Sequence, residues 1–244
     1  MSAAVWLPDV LVEAFRGMRG YQVDTVKGWQ TRSAKTTSFD PRGVMNHHTG
    51  PGSYANLLSY MTNGSKIAPL CNVATSRPHD VGGISTVRIT VCAAGRANHA
   101  GKGHVSWAGT DGGNRHSVGI ENQNNGSQPW PKQQIEGIRI ATAAILRHLG
   151  RDAKFMTDHK TYAPRRKPDM HSVDLATEQT AVTALLNGPE DTKVISHSIA
   201  PGETLYSIGR KYGVSHEKIQ RANGITDADV TRLRVGRVLT VPRR

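Results

Sequence analysis

With 244 residues and a formal net charge of +12, the chain has room for one core of ordinary size plus a small module, which predicts two domains. Its 37% hydrophobic and 20% charged residues exclude the disordered and fibrous classes, and no window approaches the ~18–20 continuous apolar residues of a membrane span. Basic residues outnumber acidic ones 21 to 13 over residues 1–187 and 9 to 4 over 197–244, so both halves are suited to an anionic polymer. The chain shows no zinc-finger, basic-zipper or aromatic-sheet signature, which speaks against nucleic acid as that polymer. The opening MSAAVWLPDVLVEAFRGMRG lacks the basic start and unbroken apolar run of a signal peptide. Cys71 and Cys92 have no CxxC spacing and are expected to be reduced thiols.

In chain order, GVMNH reads as a strand, and SYANLLSYMTNG as a short amphipathic helix with Tyr54, Leu57, Leu58 and Met61 on one stripe, Ser53 as N-cap and Gly64 past its end. LCNVATS and STVRITVCA follow as strands. In the second, Val87, Ile89 and Val91 alternate with Arg88, Thr90 and Cys92, the period of a half-buried strand. SVGIENQ is a fourth strand. KQQIEGIRIATAAILRHLG is a helix with Ile135, Ile138, Ile145 and Leu149 inward, closed by Gly150. Asp174 to Leu186 forms another, with Val182, Leu185 and Leu186 inward and Gly188 at its stop. Interleaved strands and helices through residue 187 predict an α/β fold, a mixed central β-sheet flanked by helices. The polar stretch 188–196 reads as a linker. Residues 197–244 follow the order βααβ, with Leu205, Ile208 and Tyr212 on a helical stripe and a closing strand RVLTVP.

The chemistry concentrates in HKTYAPRRKPDM. His159 and Asp169 are good Zn²⁺ ligands, and a catalytic zinc takes a third protein ligand, which His47 or His48 at a strand end can supply. Pro164 and Pro168 bias the loop toward extended backbone, which sends Lys167 and Asp169 to the same side. Strand alternation puts Ser117, Gly119 and Glu121 on one face, and Gly119 leaves open space beside a carboxylate placed to accept a proton from water.

These motifs, running from DPRGVMNHHTG through GRANHAGKG and HSVGIENQNNG to DHKTYAPRRKPDM, resemble the type 2 zinc N-acetylmuramoyl-L-alanine amidases, which share a fold with the peptidoglycan recognition proteins. The resemblance covers about Tyr21 to Leu186. It implies Zn²⁺ held by His47, His159 and Asp169, with Glu121 as general base and Lys167 beside the developing oxyanion. It also implies a substrate contact for His99 and a packing role for His48. Where many relatives open the second strand with a tyrosine-histidine pair, this chain has Cys71-Asn72, so Glu121 carries more of the chemistry. The last domain, with PGETLYSI, YGVS, IQRANGI and VGRVLTVP, resembles a LysM domain, which implies glycan binding through Gly202, Glu203, Thr204, Leu205, Ile225 and Thr226. The expected organisation is an amidase at 1–187, a linker at 188–196 and a wall-binding domain at 197–244. The expected activity is hydrolysis of the amide between N-acetylmuramic acid and L-alanine in peptidoglycan, with stem peptide and glycan strand as partners.

A basic wall hydrolase without an export signal, with PLCNVATSR and GRANHAGKG, is similar to endolysins of actinobacteriophages. That resemblance implies a monomer held in the host cytoplasm until a holin opens the membrane, and no membrane insertion. A bacterial autolysin of the same activity and a non-catalytic peptidoglycan-recognition module are the alternatives, and the second would lose a ligand or the base.

Overall fold

A run rich in β-branched residues, Ile84–Val91, is the longest strand among the described residues, and the sheet is organised around it. The computed structural model describes residues 4–34, 38–188 and 194–242. The chain divides into two compact units, Met1–Leu186 and Asn187–Arg244.

The first unit contains α1 (Leu7–Ala14), β1 (Tyr21–Thr25), β2 (Gly43–His48), α2 (Tyr54–Ser59), β3 (Val73–Thr75), β4 (His79–Val81) and β5 (Ile84–Val91). It continues with β6 (His104–Val105), β7 (Gly109–Thr110), α3 (Gly113–His116), β8 (Ser117–Asn122), α4 (Lys132–His148), β9 (Met156–Asp158), α5 (His159–Tyr162) and α6 (Leu175–Asn187). The main sheet runs β1-β5-β3-β8-β2-β9, with β4 paired to β5. Strands β3, β8, β2 and β9 are parallel, whereas β5 is antiparallel to β3 and parallel to β1. This is the mixed α/β sheet the sequence predicts.

One face carries Val44, Val73, Val87, Ile89, Val91, Val118 and Ile120, packed against Leu7 and Leu11 of α1, Ile145 and Leu146 of α4 and Val182 of α6. Removing so much aliphatic surface from water supplies most of the cohesion of this unit, at about 25 cal/mol per Å². On the other face Met61, Cys71, Ala74 and Cys92 meet the half-buried Tyr54, Leu57 and Leu58 of α2. Both cysteines are buried free thiols. The half-buried reading of β5 is therefore corrected: Thr90 and Cys92 are as buried as Ile89, because α2 lies over the second face and Tyr54 Oη donates to Thr90 Oγ1 at 2.8 Å.

Ser53 caps α2 as expected, but the helix changes to π geometry over Tyr60–Gly64. Leu185 of α6 is exposed, not inward, whereas Leu175, Val182 and Leu186 reach the core. Helix α1 and strand β1 were missed in the sequence. Yet Ala4 N–H donates to Ala94 O at 2.6 Å, and five residues of β1 pair in parallel with β5.

The second unit contains β10 (Val194–Ser198), α7 (Leu205–Tyr212), α8 (His216–Ala222) and β11 (Val238–Pro242), the expected βααβ order with β10 and β11 antiparallel. Strand β10 starts inside the expected linker, of which residues 189–193 lie outside the described ones. Its core is Ile199, Leu205, Ile208, Ile219, Ile225, Leu239 and Val241.

Candidate active site

The site is built at the carboxyl ends of parallel strands, where open α/β sheets leave a crevice. The β2–β8 register sets His47 beside Glu121, and the alternation that sends Val44 to the helix-covered face sends Met45 and His47 to the other. Strand β9 pairs with β2 through Asn46 and Asp158, so the next residue, His159, arrives level with His47. Asp158 ends the strand and caps α5, its carboxylate accepting the Thr161 N–H at 2.9 Å.

Asp169 is delivered by the loop after α5, and Lys160 fastens that loop. The Lys160 N–H donates to Asp169 O at 2.5 Å, and its ammonium donates to the carbonyls of Met170 (2.9 Å) and Val173. Extended backbone from Pro164 to Asp169 is not what forms. Ala163 O accepts the N–H groups of Arg166 and Lys167, making a turn that precedes a short open stretch to Asp169.

Three ligand atoms converge. His47 Nδ1 lies 2.9 Å from His159 Nδ1 and 3.2 Å from Asp169 Oδ2, and His159 Nδ1 lies 2.9 Å from the same oxygen. His159 Nε2 is 2.8 Å from Ala100 O, which only accepts, so the ring proton sits there and Nδ1 keeps its lone pair. Burial lowers the His47 pKa to about 4, leaving a neutral ring. Lone pairs and an anion at these distances repel one another unless a cation lies between them. A tetrahedral zinc with bonds of ~2.0–2.1 Å needs ligand atoms roughly 3.3 Å apart. The donor set fits such an ion.

Glu121 Oε2 is buried and accepts no hydrogen bond among the described residues. Burial, and then the charge of Asp169, push its carboxyl up to about 8, against the opposing pull of Lys167. Lys167 is half-buried, and its charge is felt at both His47 and Glu121. His48 points away, half-buried, with its Nδ1 accepting the His171 N–H at 3.2 Å.

His99 differs from its expected role. It is 7% exposed, with Nδ1 2.9 Å from His47 Nε2 and Nε2 3.3 Å from Ser117 O, so neither ring nitrogen is left for a substrate. Its ring also fills the space beside Gly119, where a Cβ would come within 2.5 Å of it. That gap serves His99, not Glu121 as the sequence suggested. Asn72 was noticed only as a departure from the common pattern. It clasps three segments, donating to Ala93 O and Gly95 O and accepting from the Gly119 N–H. Arg166, unremarked in the sequence, donates to the carbonyls of Ala100 and Lys102 and braces the loop that faces His159.

The LysM-like candidates divide differently. Leu205 and Ile225 are 2% and 6% exposed members of the core, so their side chains are not on offer to a glycan. Glu203 Oε2 accepts the Ala200 N–H at 2.9 Å and lies 2.6 Å from His197 Nε2. Thr204 caps α7 in a reciprocal pair with Ser207, and Thr226 donates both its N–H and its hydroxyl to the Asp229 carboxylate. Gly202 is exposed in a turn at φ +79°, in the left-handed region that favours glycine.

The family description "N-acetylmuramoyl-L-alanine amidase" matches residues 37–172, and "LysM domain" matches residues 197–242. The chain belongs to the N-acetylmuramoyl-L-alanine amidase family. Both matches are to the families that the sequence resembles. Among solved structures, AmpDh3 of Pseudomonas aeruginosa is 24% identical, with a TM-score of 0.46, over 59% of this chain and 60% of its own length, so the match spans under two thirds of that protein. AmiD of E. coli, in complex with anhydro-N-acetylmuramic acid-L-Ala-D-γ-Glu-L-Lys, is 20% identical over 71% of both chains, with a TM-score of 0.46. The endolysin amidase LysCS of Clostridium intestinale is 15% identical over 68% of this chain and 95% of its own, with a TM-score of 0.43. No curated protein sequence matches the chain. Among the described residues, no helix is long and apolar enough to cross a membrane.

Proposed function

We propose that this protein is a zinc-dependent endolysin that hydrolyses the amide between the lactyl group of N-acetylmuramic acid and L-alanine. The observation that carries this reading is the convergence of His47, His159 and Asp169 in one site with Glu121, whose Oε2 is buried and has no hydrogen-bond partner among the described residues. A zinc ion held by those three residues would supply Lewis acidity to the scissile carbonyl and would acidify a water molecule.

The chain's own groups do the rest. Glu121 Oε2 takes the proton of the attacking water and returns it to the departing alanine nitrogen, a role suited to a carboxyl whose pKa is raised toward the working pH. Lys167 faces the same volume and offers its ammonium to the oxygen that gains charge. Outside the catalytic unit, the LysM domain tethers the enzyme to the glycan and raises its local concentration on insoluble wall. The basic charge of both units favours the anionic wall polymers. We place the protein as a monomer in the cytoplasm of an infected bacterium until a holin releases it to the wall.

Product analysis of digested peptidoglycan tests the bond. New L-alanine amino termini and glycan strands ending in free lactyl carboxylates are expected, with no rise in reducing sugar. Reducing ends would indicate a glycosidase, which needs two carboxylates flanking a sugar ring. A terminus other than L-alanine would indicate a stem-peptide endopeptidase.

A further inference from the structure

His47 is held on its far side as deliberately as on its near side. Its Nε2 lies 2.9 Å from His99 Nδ1, the two rings meet edge to face at 77°, and His99 Nε2 lies 3.3 Å from the carbonyl of Ser117. Proton positions in this chain can be read from its end. The Ser117 carbonyl only accepts, so His99 Nε2 carries a proton. A neutral His99 then has a lone pair at Nδ1, and the His47 atom facing it must be N–H. His47 in turn is left with its lone pair at Nδ1, the atom turned toward His159 and Asp169. The reverse order would set His99 Nε2 and the Ser117 oxygen against each other as two acceptors.

We propose that His99 is a positioning residue: through Ser117 O it fixes His47 in the tautomer that presents Nδ1 to the metal, and Gly119 exists in β8 to make room for it. The fold supports each link. Ser117 is fully buried at the start of β8, its hydroxyl donating to Gly113 O at 2.7 Å, so its carbonyl is fixed in place. A Cβ at Gly119 would lie 2.5 Å from His99 Cγ and Cδ2, a distance the ring must yield to. His159 has its own acceptor in Ala100 O, so the two metal-facing imidazoles are set by separate carbonyls. The inference rests on the reading of His47, His159 and Asp169 as a zinc site.

The experiment measures zinc affinity by competition with a chromophoric chelator, and histidine tautomers by long-range ¹H–¹⁵N spectra of the metal-free protein, both at fixed pH. Native protein should show His47 protonated at Nε2. His99→Phe keeps an aromatic ring but no acceptor, and should lose ~10–100-fold in affinity, the usual scale for an outer-shell partner of a metal-bound histidine, with His47 split between tautomers. His99→Asn can place its Oδ1 near the position of Nδ1 and should restore most of the affinity. Gly119→Ala should repeat the His99→Phe result by displacing the ring. Equal affinity of native and His99→Phe overturns the proposal, as does an equal loss in the Phe and Asn variants, which would mean packing alone. Should His99→Phe not fold, the native tautomer and Gly119→Ala decide, and a native His47 protonated at Nδ1 overturns it. Native protein that binds no zinc at all would instead sink the metal reading.

Discussion

The two units treat their polar motif residues in opposite ways. In the LysM domain, Glu203, Thr204 and Thr226 are each spent on local hydrogen bonds, and the motif's apolar members Leu205 and Ile225 fill the core. In the amidase unit, His47, His159 and Asp169 crowd together, while Glu121 Oε2 is buried without a partner among the described residues. Buried polar groups are nearly always satisfied, so a buried carboxylate oxygen that is not, in the same site as three converging ligand atoms, marks where an external ligand completes the structure. A motif residue can therefore matter because it builds the fold or because the fold leaves it incomplete, and the hydrogen-bond inventory tells which.

The largest effect should come from the incomplete cluster. Chelation or His159→Ala should abolish wall hydrolysis, zinc should restore the chelated enzyme, and circular dichroism should show the fold retained. Full turnover by metal-stripped protein would break the contrast at its centre. Next, Glu121→Gln should keep stoichiometric zinc yet lose ~10²–10⁴-fold in rate, the range for removal of a general base. The same variant should be the more stable one without metal, in a pH-dependent way. The carboxyl is raised from 4.5 to about 8 in the fold, so its contribution to stability is intact below the unfolded pKa and is lost as pH rises to 8. Melting temperatures of the two metal-free proteins should coincide near pH 4 and separate by pH 8.

On the LysM side the effects should be structural. Leu205→Ala should destabilise that unit by ~2–5 kcal/mol through lost burial and the cavity left behind, and weaken wall pelleting only in proportion to the unfolded fraction. Thr204→Ala should cost ~0.5–2 kcal/mol as a lost helix cap and leave binding by the folded fraction unchanged. A Leu205 or Thr204 variant that folds fully yet fails to pellet with wall would return those side chains to the glycan surface.

What the sequence could and could not reveal follows from the range of the interactions. The alternation in GVMNHH and SVGIEN put His47 and Glu121 on the same side of their strands, because the period of two is local. The βααβ order and the inward stripe of the last unit were legible for the same reason. Tertiary cover was not. Thr90 and Cys92 are buried by a helix that their own segment says nothing about, and the backbone carbonyls of Ser117 and Ala100 that orient the imidazoles have no signature in any side chain. His99 was visible as a motif residue, but its role depends on the absence of a side chain at Gly119, twenty residues on.

The family match begins at residue 37, but the folded unit starts earlier. Leu7 and Leu11 are fully buried against the sheet, and β1 is the strand that covers the edge of β5. Grafting this unit onto a different module at the family boundary would uncover a five-residue edge of β5 and an aliphatic face together, the combination that drives edge-to-edge aggregation. A chimera joined ahead of Ala4 keeps both covered, so the usable cut lies at the outer end of the amino-terminal extension.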